Sequence, residues 1–145
     1  LFDSLMKAYL GQIESSLKVS EIISEHSGED ELSPDSLICG LVYRLMVPMD
    51  NNELKASMEK ADVIYNDIIS YNGSDSGEEE EEIVDNNEIG SIEPRKIKTN
   101  NCNCDICSKV RVCLLNFSSY QANDKLAQKF KDSIVESCQV HNLTI

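Results

Sequence analysis

The stretch "SDSGEEEEEIVDNNEIGSIEP", residues 74–94, constrains the fold more than any other part of the chain. It has five consecutive glutamates, no helical period and too few apolar residues to offset the entropy of ordering it. A core must therefore come from the residues on either side, and residues 74–99 are expected to form an acidic linker, disordered when the protein is alone. Charge follows the same division. Residues 1–73 carry 13 acids and 5 bases, residues 74–94 carry 9 acids and no base, and residues 95–145 carry 8 bases against 4 acids. An acidic front, a very acidic insert and a mildly basic tail suit contacts with basic protein surfaces. Naked nucleic acid is not an expected partner, because phosphate binding needs clustered positive charge.

Outside the insert the apolar residues recur at helical spacing. Phe2, Met6, Tyr9, Ile13 and Leu17 predict a first helix with one buried face, stopped at Gly28. In "LSPDSLICGLVYRLMVP", Ser33 is the expected N-cap and Pro34 the first helical residue, followed by Leu37, Ile38, Leu41, Val42, Leu45 and Met46 as a central core stripe. Pro48 interrupts the pattern. Asp50 and Glu53 restart it as a capping box, with Leu54, Met58, Ala61, Tyr65 and Ile68 expected inward. After the insert, "IEPRKIKT" suits a short extended piece. Ile106, Val110, Cys113 and Phe117 mark a fourth helix, and Ala127, Phe130, Ile134, Cys138 and His141 a fifth. The fold class is therefore mainly α: a small helical domain of about five helices interrupted by a long acidic insert, with three helices in 1–73 and two in a cysteine-rich segment, 100–145. No run of apolar residues is long enough for a membrane span. The sequence opens on Leu1 rather than methionine, so a processed product and part of a longer protein both stay open.

Four of the six cysteines fall within "CNCDICSKVRVC", residues 102–113. Cys102, Cys104 and Cys107 form C-x-C-x-x-C in a loop leading into a helix, a spacing that can direct three thiolates at one metal ion. Cys113 shares the apolar stripe of the fourth helix and reads as a buried hydrophobe. Cys138 or His141 is expected to supply the fourth ligand, if the two C-terminal helices close over the loop. A structural zinc would then staple helices too short to be stable as a pair. The plainer reading, reduced thiols in a small core, stands beside it. A disulfide framework ranks third, since long apolar helices do not need one. A redox role for Cys104 and Cys107 ranks lower, because no βαβ pattern accompanies them. Cys39 lies off its helix's main stripe and reads as a minor core or interface residue.

The text "CNCDICSKV", followed by a short helix, an aromatic residue and a lysine-bearing terminal helix, resembles a motif of small CxCxxC proteins of nucleocytoplasmic large DNA viruses. The resemblance covers the last third of the chain. Those proteins typically carry tryptophans after the cysteines, where this chain has Leu114, Leu115, Phe117 and Tyr120. What it implies is a reducing, cytoplasmic setting and a role as a virion component.

Ser76 precedes Glu79 by three residues, the acidic context that acid-directed kinases favour; a solvated linker serine is the plainer reading. The sequons at Asn72, Asn116 and Asn142 are what chance gives in a chain rich in Asn and Ser. Of the two histidines, His26 is expected to stabilise the C-terminus of the first helix. No nucleophile elbow, phosphate-cradling glycine loop or H-E-x-x-H occurs. The expected function is that of a non-catalytic structural or adaptor subunit of a large assembly, such as a minor capsid protein. Phe2, Tyr43 and Leu45 would be among the residues offering apolar surface to neighbours, and Glu78, Glu79, Glu80, Glu81 and Glu82 would meet a basic face of a partner. The alternative is a zinc-stabilised acidic regulatory factor that binds basic proteins by mimicking nucleic-acid charge.

Overall fold

A computed structural model of the chain describes residues 2–72 and 93–145. Glu78–Glu82 and Ser76 lie outside the described residues. The order of elements is α1 (Phe2–His26), α2 (Pro34–Met46), α3 (Asn51–Asn72), β1 (Arg95–Lys96), α4 (Asp105–Asn116), α5 (Lys125–Val140) and β2 (Leu143–Thr144). The described residues are thus mainly helical.

Local chemistry sets the helix boundaries. Beyond α1, Gly28 takes φ +75°, a conformation that costs a residue without Cβ nothing. The Ser33 hydroxyl caps α2 by accepting from the Ser36 N–H at 3.1 Å. The capping box opening α3 is reciprocal: the Glu53 N–H donates to Asp50 at 2.8 Å and the Asp50 N–H donates to Glu53 at 3.0 Å. Asp124 caps α5 as Ser33 caps α2, accepting from the Ala127 N–H at 2.8 Å.

α1 packs against both α2 and α3, and α2 also carries α4 and α5. The face that α1 buries matches the stripe of its large apolar residues only in part: Tyr9 and Ile13 pack half-buried against the core, but the most buried positions lie elsewhere. Ser15, Ser16, Val19, Ser20, Ile23 and Ser24 are buried, whereas Phe2 is 69% exposed and Leu17 lies at the surface. Two of the serines satisfy themselves on the preceding turn: the Ser16 hydroxyl donates to Gln12 O at 2.8 Å and the Ser20 hydroxyl to Ser16 O at 3.0 Å. Small side chains let the α2 backbone come close. A Cβ on Gly40 would stand 1.9 Å from Ser20 Oγ and 2.5 Å from Ser16 O. The inward stripe expected of α3 holds at its middle and fails at its ends: Ala61 is buried and Met58 and Tyr65 are half-buried, whereas Leu54 and Ile68 are exposed and Ser57 is buried against α1 in addition. Along this pair the Tyr65 hydroxyl meets the Asp3 carboxylate, and Lys7 pairs with Asp62 at 3.0 Å.

A single core draws on both sides of the insert. Val19 and Ile23 of α1 meet Ile38, Cys39 and Val42 of α2, Val110, Cys113 and Phe117 of α4, and Phe130, Ile134 and Cys138 of α5. Cys39 is fully buried at its centre rather than at a margin, and Tyr43 and Leu45, expected to present apolar surface, are buried too. Residues 93–99, read from sequence as the end of the linker, belong to this body. Arg95–Lys96 pairs in parallel with Leu143–Thr144, and Ile97 is buried. Asp35 fastens the strand by accepting from Arg95 Nη1 at 2.8 Å, Arg95 Nη2 at 2.7 Å and the Lys98 N–H at 2.7 Å.

Candidate metal centre

The chain leaves β1 through Thr99 and Asn100 and turns across the end of α1 before entering α4. Cys104 is the N-cap of α4, its Sγ accepting from the Cys107 N–H at 3.4 Å, and its own N–H donates to Cys102 Sγ at 3.4 Å. The three thiols therefore converge on one point through the bend of the loop. The fourth group facing that point is His26, the last residue of α1. Its Nδ1 lies 3.3 Å from Cys102 Sγ, 3.3 Å from Cys104 Sγ and 3.6 Å from Cys107 Sγ. All four donor atoms fall within 4.8 Å of one another.

Asn100 holds the arrangement from behind. Its amide nitrogen donates to Ser27 Oγ at 2.9 Å and to Cys107 Sγ at 3.4 Å, and its amide oxygen accepts from the Cys102 N–H at 3.1 Å. Arg111 braces the loop by donating to Asn100 O at 2.7 Å and Cys102 O at 2.8 Å. The cluster is graded from outside in: His26 is exposed, Cys102 and Cys104 are half-buried, and Cys107 is buried.

This environment separates the thiols chemically. The Cys107 N–H donating to Cys104 Sγ, assisted by contacts from Cys107, Cys102 and His26, lowers the Cys104 thiol to about 6, favouring its thiolate form. Burial pushes the Cys107 thiol up to about 11. Both effects hold for the metal-free chain; a cation at the centre would draw the proton from every sulfur. Burial likewise raises Cys39 to about 12 and raises Cys113 and Cys138, as befits inert core thiols. All six cysteines are free.

Cys102, Cys104 and Cys107 are thus brought together as their spacing suggested, but Cys138 and His141 are not with them. The physical reason is that α4 and α5 both pack on α2 instead of closing over the loop. Cys138 faces the core, and His141 is the exposed C-cap residue of α5. No local motif marks His26 as the fourth group, because 76 residues separate it from Cys102. Its position one residue before a Ser-Gly stop was the available signal. It places the ring at a helix end, where a loop can reach it.

Comparison of the chain with protein-family profiles, with curated proteins and with solved structures finds no match. Among the described residues, no helix is long and apolar enough to cross a membrane.

Proposed function

We propose that this protein is a non-catalytic structural or adaptor subunit of a larger protein assembly, in which one zinc ion clamps the cysteine-bearing tail onto the N-terminal helices. The observation that carries the clamp is the convergence of three sulfurs and one imidazole nitrogen from opposite sides of the acidic insert. A tetrahedral zinc with Zn–S near 2.3 Å and Zn–N near 2.0 Å holds sulfur and nitrogen about 3.5 Å apart. The nitrogen-to-sulfur distances of 3.3, 3.3 and 3.6 Å fit that figure. Three thiolates and one imidazole favour zinc over the hard, oxygen-seeking cations. Four protein donors close the coordination shell, the arrangement of a structural rather than a catalytic zinc site.

The adaptor reading is supported by apolar surface at one end of the α1–α3 pair, where Phe2, Leu5, Ile68 and Ile69 are all exposed. The acidic insert meets basic surface on a partner. In the viral setting that the CxCxxC resemblance implies, the protein is a minor capsid or virion component that acts in the cytoplasm.

Native mass spectrometry on protein purified without chelator, repeated after chelation, tests the clamp. One zinc per chain, lost on chelation together with helical signal, is expected; a metal-free mass in every preparation contradicts it. Deleting residues 76–90 tests the adaptor role. Incorporation into the assembly should fall while the helical signal persists, and unchanged incorporation contradicts that part.

A further inference from the structure

The same cluster contains a dithiol placed for oxidation. Cys104 caps α4 and Cys107 sits in its first turn, so the pair spans one turn of helix. Cα atoms three apart in a helix are separated by about 5 Å, well inside the span that a disulfide bridges. Cys102 Sγ, which accepts from the Cys104 N–H, is the competing partner, but it lies in the loop outside the helix turn that sets the 104–107 spacing. Access separates the pair: Cys104 is half-buried, while Cys107 lies behind it at 2% exposure.

We propose that Cys104 and Cys107 form a peroxide-oxidised dithiol whose closure to a disulfide ejects the metal and releases the cysteine loop from His26 at the end of α1. The inference rests on the zinc reading above. In the reaction, Cys104 Sγ attacks one oxygen of the peroxide, the O–O bond breaks, hydroxide leaves and a sulfenic acid forms. Cys107 Sγ then attacks that sulfur, the S–S bond forms and a second hydroxide leaves. Two electrons pass from the sulfur pair to the peroxide, and two solvent protons convert the hydroxides to water. Cys102 and His26 remain, two donors where tetrahedral zinc needs four. A thiol reductant reverses the closure and restores the ligand set.

Hydrogen peroxide titration of the zinc-loaded full chain tests this, with zinc release followed by a chromogenic chelator and disulfides located by mass spectrometry after cleavage before Asp105. One zinc should be released per chain as two thiols disappear. A link joining the peptides on either side of that cleavage should appear, persist in Cys102→Ser, and vanish with zinc rebinding after dithiothreitol. Zinc retained at peroxide levels that oxidise free cysteine, release with a Cys102–Cys104 link, or release with only sulfinic acid at Cys104 would each overturn it. If the starting protein holds no zinc, the zinc reading fails at that step. The link in the metal-free chain then decides the pairing separately: its formation keeps the dithiol, and its absence overturns that too.

Discussion

His26 Nδ1 lies 3.3 Å from Cys104 Sγ although 78 residues separate them in the chain. A contact of that kind closes residues 26–104, insert included, into one loop. Removing the imidazole should therefore loosen the cysteine loop from the end of α1 as well as weaken metal binding, while the shared core still joins α4 to α1. His26→Ala is expected to lower zinc affinity by more than the roughly 10- to 100-fold that loss of an outer-shell partner costs. His141→Ala should leave affinity unchanged. Competition against a calibrated chelator checks both, and equal effects from the two substitutions would contradict the assignment.

Asn100 touches the cluster without supplying an expected ligand, donating to Cys107 Sγ and to Ser27. Asn100→Ala should lower zinc affinity by about 10- to 100-fold while keeping one ion per chain at saturation. The same competition assay reads the affinity, and elemental analysis reads the stoichiometry.

Asp35 fastens the returning chain independently of the metal. Its bonds to Arg95, the larger cause, and to the Lys98 N–H hold its carboxyl below the usual aspartate range. Arg95 is 41% exposed, so the pair is worth less than a fully buried one, and Asp35→Ala should cost about 1–3 kcal/mol in urea unfolding. The sign of the pH effect follows from the lowered value. The contribution is fully present above the ordinary aspartate pKa of about 4 and is lost as pH falls through the lower folded value. The stability gap between wild type and Asp35→Ala should narrow in acid; a gap that widens would contradict the pairing.

Gly40 offers a case in which two effects oppose each other. Alanine gains about 1 kcal/mol in helix propensity over glycine, but overpacking a tight contact costs about 1–3 kcal/mol or more. With a Cβ only 1.9 Å from Ser20 Oγ and 2.9 Å from the Ser20 backbone nitrogen, packing wins. Gly40→Ala should lower the urea midpoint, and a variant as stable as its parent would show that α1 and α2 do not approach so closely.

Gly40 and the serines also show where sequence reading stops. All five helices of the described residues were legible, with caps at Ser33 and Asp50, because periodicity and capping are local signals. The buried face of α1 was legible only in part: Tyr9 and Ile13 do pack against the core, but hydropathy favours Phe2 and Leu17 over Ser16 and Ser20, and only the approach of Gly40 gives the serines their place. Three of the four clustered donors were legible in C-x-C-x-x-C. The fourth was not, because placing His26 beside that loop requires knowing that α4 and α5 both pack on α2. Ile97 was missed for a related reason: its burial depends on Leu143 and Thr144 pairing with β1 from the far end of the tail.

The donor set of the metal centre is the central claim, and X-ray absorption at the zinc edge of the purified full chain measures it most directly. The account predicts a first shell of about three sulfurs near 2.3 Å and one nitrogen near 2.0 Å, with imidazole scattering lost in His26→Ala. A shell of four sulfurs, a shell of oxygen and nitrogen alone, or imidazole scattering that persists without His26 would contradict it.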